Sequence, residues 1–396
     1  MMNILIIAIA LSVAGFLAFS KKLNTSSAWR ATLTPLASIM GSGFLVCAPL
    51  IGGIAGPWSL FFMIGLLLVA YAVGACIRFN IRHFEPIENA QHGTVQRVAL
   101  ASRMVLAIAY FISVAYYLQL LAVFVLSIFG IDNSIAAKAL SSTILIAISI
   151  VGITHGLSSM ERLEKYAISL NLGMICALLF ALLCHNIQLF QNNTWQLPLS
   201  KSHFDTTDIR VILGLLIVVQ GFETSRYLGA EHSPQERITT MRRAQWISSA
   251  IYIIFISLMT VLFHPGLGSD VTEVIQLTAP VAAVLPILLT VAAVGSQFSA
   301  SVADEAAAGG LLEDVFKVPT KRAYLLVMIV SVSLTWITSV TEVISIASRA
   351  FAVYYLLQCT VAALLANREK NHPRTLAFSL SALLCLIVAL FGIPAE

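Results

Sequence analysis

The sequence predicts an all-α integral membrane protein of about 12 transmembrane helices, and three observations carry that prediction. Of its 396 residues, 59% are hydrophobic and 11% charged, whereas a soluble domain needs roughly a quarter of its residues charged to cover its surface. The mean hydropathy is +0.90. Charge-free stretches recur along the whole chain, each as long as the about 20 residues that cross a bilayer as a helix. Little remains for a catalytic or regulatory domain outside the membrane. The formal charge of +4 records orientation rather than nucleic-acid binding. Cys47, Cys76, Cys176, Cys184, Cys359 and Cys385 all lie in apolar segments with no CxxC pair. They read as small core residues, not as a disulfide or zinc framework.

Windows without Asp, Glu, Lys or Arg run over 1–20, 31–77, 104–131, 139–160, 166–200, 244–269, 274–303, 323–341, 350–367 and 375–395. The stretch 31–77 holds two helices, with Gly52-Gly-Ile-Ala-Gly-Pro57 as the turn between them. One more helix, over 208–229, carries Glu223 and Arg226 in its second half. The first window lacks a basic n-region and an Ala-x-Ala site and is followed by Lys21-Lys22, so it reads as a retained helix rather than a cleaved signal peptide. With the N-terminus outside, the odd-numbered connections hold clusters such as Arg78, Arg82, Arg97, Arg103, Arg237, Arg242, Arg243, Lys317, Lys321 and Arg322. The external loops hold only Lys138, Lys201 and Arg210. Basic residues resist translocation, which places both termini outside a plasma membrane, the inner one in a bacterium.

Two helices are interrupted. In the second, Gly41, Ser42 and Gly43 fall near mid-bilayer, where the helix is expected to unwind. Unwound backbone is tolerated in a membrane only where it lines a cavity, although a Gly-Ser-Gly run also serves as a close-packing face. In the seventh, Gln220, Gly221 and Phe222 precede Glu223, an acid that is costly at that depth unless paired, hydrated or protonated; Arg226, one turn on, is its simplest structural partner. The breaks lie five helices apart in helices of opposite direction, the pattern of a five-plus-five inverted repeat with two discontinuous helices. The expected organisation is an extra helix over 1–22, repeats over 29–189 and 208–367, and a last helix over 374–396.

Gly41-Ser-Gly-Phe-Leu-Val-Cys-Ala-Pro49 resembles the Gly-x-Gly signature of the first core helix in the amino acid, polyamine and organocation (APC) superfamily. Gly221-Phe-Glu223 resembles its sixth-helix motif, Gly229-Ala-Glu-His-Ser-Pro-Gln-Glu-Arg-Ile238 the loop that follows, and His155-Gly-Leu-Ser-Ser-Met-Glu-Arg162 the loop before the fifth core helix. The external N-terminal helix is similar instead to the solute:sodium symporter branch of the same fold.

The resemblance implies a secondary active transporter whose solute, an amino acid or related amine, sits between the two breaks. Backbone N–H groups at Ser42, Gly43 and Phe44 would face an anionic group, as free donors at a half-helix N-terminus can. Gln220, Gly221, Phe222 and Glu223 would form the opposite wall, with Phe222 as a gate and Glu223 as amine ligand or proton carrier. Ser296, Ser299 and Ala300, at i, i+3 and i+4, match positions that bind sodium in coupled members, together with carbonyls of Ala37 and Met40; oxygen ligands suit a hard cation. Such serines can equally bond back to their own helix. Proton-coupled relatives carry a Lys where this chain has Asn171, which favours sodium.

Glu342 and Arg349 share a helix face and suggest an internal ion pair or gate, while Asp304-Glu305 reads as part of a solvated cytoplasmic loop. No histidine pairs with Cys, Asp or Glu at metal-ligand spacing, and Walker, Gly-x-Ser-x-Gly and zincin signatures are absent, so no cofactor is implied beyond a sodium ion. The expected partners are a small-molecule solute, a coupling ion and the lipid bilayer. The rival readings are a membrane-embedded enzyme, a sensor or channel on the same fold, and a symporter for a solute other than an amino acid; the oligomeric state stays open.

Overall fold

A computed structural model describes residues 2–88, 93–155, 157–198, 204–229, 232–264, 267 and 272–393, with the side chains of residues 42, 155, 157–164, 314, 320 and 341 outside the description. Every regular element among the described residues is helical. In order these are α1 (Met2–Phe19), α2 (Lys21–Asn24), α3 (Ser27–Gly43), α4 (Cys47–Ala55), α5 (Ser59–His83), α6 (Thr94–Ile128), α7 (Ser134–His155) and α8 (Leu157–Gln191). The second half holds α9 (Thr206–Gly214), α10 (Pro234–Met259), α11 (Glu273–Thr278), α12 (Leu285–Phe316), α13 (Thr320–Ile337), α14 (Val340–Arg368) and α15 (His372–Phe391).

Nine helical segments among the described residues are long and apolar enough to cross a membrane. The three other expected crossings are α3, α13 and the broken stretch that begins with α9. The starts follow from local chemistry. Ser26 accepts from Trp29 N–H at 3.2 Å at the head of α3, Ser233 caps α10 ahead of Pro234, and Asp205 with Asp208 forms a capping box on α9. Helix α12 ends on Lys317 in the left-handed region, two residues before Pro319.

Helix α6 packs closely against both α12 and α14, and α3 packs against α12 and α10. The outer helices touch this core through narrow seams of small residues. Helix α1 buries Ile6, Ala10, Ala14 and Ala18, four apart, and meets α8 where a Cβ on Gly173 would lie 2.5 Å from Ala10 O. The rest of α1 faces outward, as a lipid-contacting helix should. Helix α15 lies on α14, and the chain after it returns to α9: Ile393 N–H donates to Arg210 O at 3.1 Å, and Arg210 Nε donates to Phe391 O at 3.0 Å.

Two corrections to the sequence reading concern charged groups. Asp304 and Glu305 are buried, not in a solvated loop; α12 continues through them to Phe316. Glu342 and Arg349 are not paired with each other. Glu342 Oε2 accepts from Ser339 N–H at 2.7 Å as a helix cap, while Arg349 Nη2 donates to Gly392 O at 3.0 Å. Its expected partner is thus replaced by the backbone beyond α15.

Candidate functional site

The first interruption falls one step later than the glycines suggest. Helix α3 runs through Gly43, and the non-helical turn is Phe44, Leu45 and Val46 before α4 restarts at Cys47. Ser42 and Gly43 therefore lie inside α3, and their backbone donors are not those of a free half-helix end. The glycines serve close approach instead. A Cβ on Gly41 would lie 2.6 Å from Ala300 Cβ, and one on Gly43 would lie 2.5 Å from Val218 Cβ. Phe44 is buried against Phe255, ring centroids 4.4 Å apart.

The second interruption lies where expected. After α9 the chain tightens into two 3₁₀ segments, Leu215–Val219 and Phe222–Tyr227, separated by Gln220 and Gly221. Gly221 has φ of 117°, a conformation that side-chain-bearing residues rarely adopt, and a Cβ there would lie 2.5 Å from Ser38 Oγ and 2.6 Å from Ile39 N. The two broken stretches thus touch backbone to backbone. Tyr252 of α10 ties them, its hydroxyl set against Ile39 O at 3.2 Å and Val218 O.

Glu223 is fully buried at this junction. Its Oε2 accepts from Gly221 N–H at 2.9 Å and from the Tyr355 hydroxyl at 2.7 Å. Oε1 has no hydrogen-bond partner among the described residues, nor does Ser38 Oγ, so polar atoms converge here without satisfying one another. Phe222 stacks on Tyr355, centroids 5.3 Å apart and planes at 14°, and Gln220 Nε2 donates to the Tyr117 hydroxyl at 2.7 Å.

Glu223 does not pair with Arg226. Arg226 turns the other way: Nη1 donates to Gln358 Oε1 at 2.5 Å, Nε lies 3.8 Å from Glu85 Oε1, and Nη2 lies 3.9 Å from Glu88 Oε2. Arg237 holds Glu85 at 2.6 Å and the Arg226 carbonyl at 2.6 Å. Asn80 and Ser102 close the network on Gln358. These groups form a buried polar layer between the break and the end of the molecule where the basic residues gather.

On the α12 side, Ser296 Oγ donates to Met40 O at 3.4 Å. Ser299 Oγ is buried with no hydrogen-bond partner among the described residues, its neighbour Ala300 is the residue a Cβ on Gly41 would meet, and Ala37 is buried one turn before Gly41. Four of the five positions singled out for an ion therefore occur at one α3–α12 contact or next to it, and the unpartnered Ser299 oxygen suits a hard cation.

Several polar groups of this core went unread in the sequence, Tyr117, Tyr252, Tyr355 and Gln358, and two more, Asp304 and Glu305, were read as solvated. Asp304 accepts from the Ser113 hydroxyl of α6, and Glu305 Oε1 accepts from the Ser149 hydroxyl of α7 at 2.5 Å. The signal for the two acids was the run Ala306-Ala-Ala-Gly-Gly310 after them, small residues that continue a packed helix. Of the sequence motifs, Ala230 and Glu231 lie outside the described residues, as do Gly156 and the side chains of His155 and of 157–162. Ser42 is described only by its backbone.

A family model described as APC superfamily transporter matches residues 21–392. An uncharacterized protein of Aquifex aeolicus (strain VF5) is 40% identical over 377 residues, covering 93% of this chain and 91% of that protein. Among solved structures, a Na⁺-coupled sialic acid symporter in a substrate-bound outward-open state covers 100% of this chain and 99% of its own at 14% identity and a TM-score of 0.56. MhsT in complex with L-phenylalanine covers 93% of this chain and 99% of its own at 14% identity and a TM-score of 0.62. At that identity the likeness shows the fold, the five-plus-five repeat of such transporters.

Proposed function

Because this chain belongs to the APC superfamily of transporters, we propose that it is a secondary active transporter moving a small organic solute, an amino acid or related amine, by alternating access. It is a multi-pass membrane protein, and family membership displaces the enzyme reading. The observation that carries the proposal is the meeting of two broken helices around Glu223, whose second oxygen lacks a hydrogen-bond partner among the described residues. In this reading the solute ammonium meets Glu223 and ring faces of Phe222 and Tyr355, and its anionic end lies towards the Phe44–Val46 turn. That turn takes the role first given to Ser42, Gly43 and Phe44 together, since it precedes the free N-terminus of α4.

The driving ion in this reading is sodium, held by Ser296, Ser299 and carbonyls of Ala37 and Met40. The unpartnered Ser299 hydroxyl supports it. Protons are the alternative, supported by Glu223, Asp304 and Glu305 in the buried core. A second solute class, a non-amino-acid organic anion, is favoured only by the likeness to the sialic acid symporter. A thermal-shift screen of the purified protein against amino acids, amines, purines and sugars, with sodium or choline as the cation, tests the reading, because a bound ligand stabilises by mass action. Stabilisation by an amino acid or amine, larger in sodium, is expected. Stabilisation by sugars or purines alone would overturn the solute class.

A further inference from the structure

At the end of the molecule where the basic residues gather, α2, the start of α3 and the first half of α10 enclose a cavity of about 410 Å³. Its walls include Leu23, Trp29, Arg242, Arg243, Trp246 and Ile247, and no carboxylate lines it. Its depth follows from the chain. The apolar run of α1 ends at Phe19 and is followed by Lys21 and Lys22, so the α2–α3 corner lies where hydrocarbon gives way to headgroups. Tryptophan and arginine are the residue types of that level. Trp246 is 63% exposed and leans edge-on against Tyr71, centroids 5.9 Å apart. Its indole is thereby fixed at the cavity mouth.

No carboxylate among the described residues pairs with the charge here. Arg242 and Arg243 are exposed, and neither has a hydrogen bond or ion pair to a described residue. Arg78, in the neighbouring helix, is bonded to the neutral Gln245 and stacks over Tyr71 at 4.8 Å. Two guanidiniums with no partner among the described residues, over an apolar, tryptophan-flanked hollow, match an anion that carries its own apolar tail.

We propose that this cavity binds the phosphate of an anionic phospholipid, with Arg242 and Arg243 on the phosphate and Leu23, Trp246 and Ile247 against the glycerol and first methylenes. Guanidinium groups suit phosphate geometry. A free phosphate shares the charge but gains nothing from the apolar wall. The occupant would bridge α10 to the start of α3, the helix whose far end carries the Phe44–Val46 turn, so bound lipid would set how readily that half-helix moves.

The test uses the full chain purified in neutral detergent, with lipid retention counted by native mass spectrometry after adding phosphatidylglycerol or phosphatidylcholine. Selective retention of phosphatidylglycerol is expected, weakened by about tenfold or more in R242Q/R243Q, since each basic residue near a headgroup contributes about 1 kcal/mol. The variant K321Q/R322Q, with the same loss of charge at the start of α13, should retain it. Arg243→Gln alone provides the smaller step should the double variant fold poorly. Unchanged retention in a folded R242Q/R243Q protein, equal loss in K321Q/R322Q, or equal stabilisation by inorganic phosphate at lipid-free conditions would each overturn the proposal.

Discussion

The hydroxyl of Tyr355 donates to Oε2 of Glu223 at 2.7 Å, and this bond fixes the acid of one broken helix against α14. Oε1 is left buried with no hydrogen-bond partner among the described residues, and Arg226 is not paired with it. The same geometry separates two layers: a carboxyl beside the breaks, and a guanidinium–carboxylate network nearer the basic end.

Gly221→Ala should lower the melting temperature of the purified protein. The substitution forces a residue with a side chain into φ of 117° and against Ser38 and Ile39, a strain of about 1–3 kcal/mol before any clash. An unchanged melting temperature in the alanine variant would show that the two stretches do not meet as described.

Glu85→Gln should loosen the layer below the site. Arg226 and Arg237 side chains are only 3% and 5% exposed, and removing their carboxylate weakens the hydrogen bonds that satisfy them, at a cost of about 1–3 kcal/mol with Glu88 still present. In a background without the native cysteines, S225C should react faster with a polar thiol reagent applied from the basic end when Glu85 is Gln. Equal rates would remove the network from any gating role.

Ser299→Ala should weaken sodium activation more than solute recognition, because it deletes one oxygen and almost no volume. The check is the sodium dependence of ligand stabilisation or uptake in both proteins. Wild-type uptake that is the same in choline as in sodium would return Ser296 and Ser299 to a packing role.

Both termini should be external, since twelve crossings that start outside return outside and the basic residues agree. A cysteine placed at 396, beyond the described residues, should label with an impermeant reagent from the outside. Labelling from the cytoplasmic side only would invert the map.

The crossings and the second break were legible in the sequence because lipid imposes one rule on every exposed segment: no charge, and no unsatisfied backbone. That rule misled where protein replaces lipid. In an apolar 18-residue stretch of the span Leu285–Glu313, 67% of the residues are buried inside the protein, against 17% in the corresponding stretch of His372–Phe391, and Asp304 and Glu305 are accommodated in α12 by accepting hydrogen bonds from the Ser113 and Ser149 hydroxyls. Reading a charge as the end of a helix is sound only for a lipid-facing one. The position of the first break was misread for a related reason. Gly41 and Gly43 have low helix propensity, but their small size is used to admit Ala300 and Val218, and the helix gives way at Phe44. Tyr252, Tyr355 and Gln358 were invisible because their partners, Ile39, Glu223 and Arg226, come from distant segments.

Glu223→Gln keeps the shape and hydrogen-bonding capacity of the side chain while removing its charge, which makes it the most direct probe of a solute site at the junction. The measurement is concentrative uptake of radiolabelled amino acids and amines into proteoliposomes under an imposed sodium or proton gradient, wild type beside variant. The wild-type protein is expected to accumulate at least one of these solutes, and the folded, inserted variant to accumulate none. If Glu223 holds the ammonium, solute binding should also weaken by about 1.5–3 kcal/mol, the scale of a hydrogen bond to a charged group; if it carries a proton, binding and exchange should persist. Uptake by Glu223→Gln at the wild-type rate would contradict the account, because the carboxylate would then be structural and the solute would cross elsewhere.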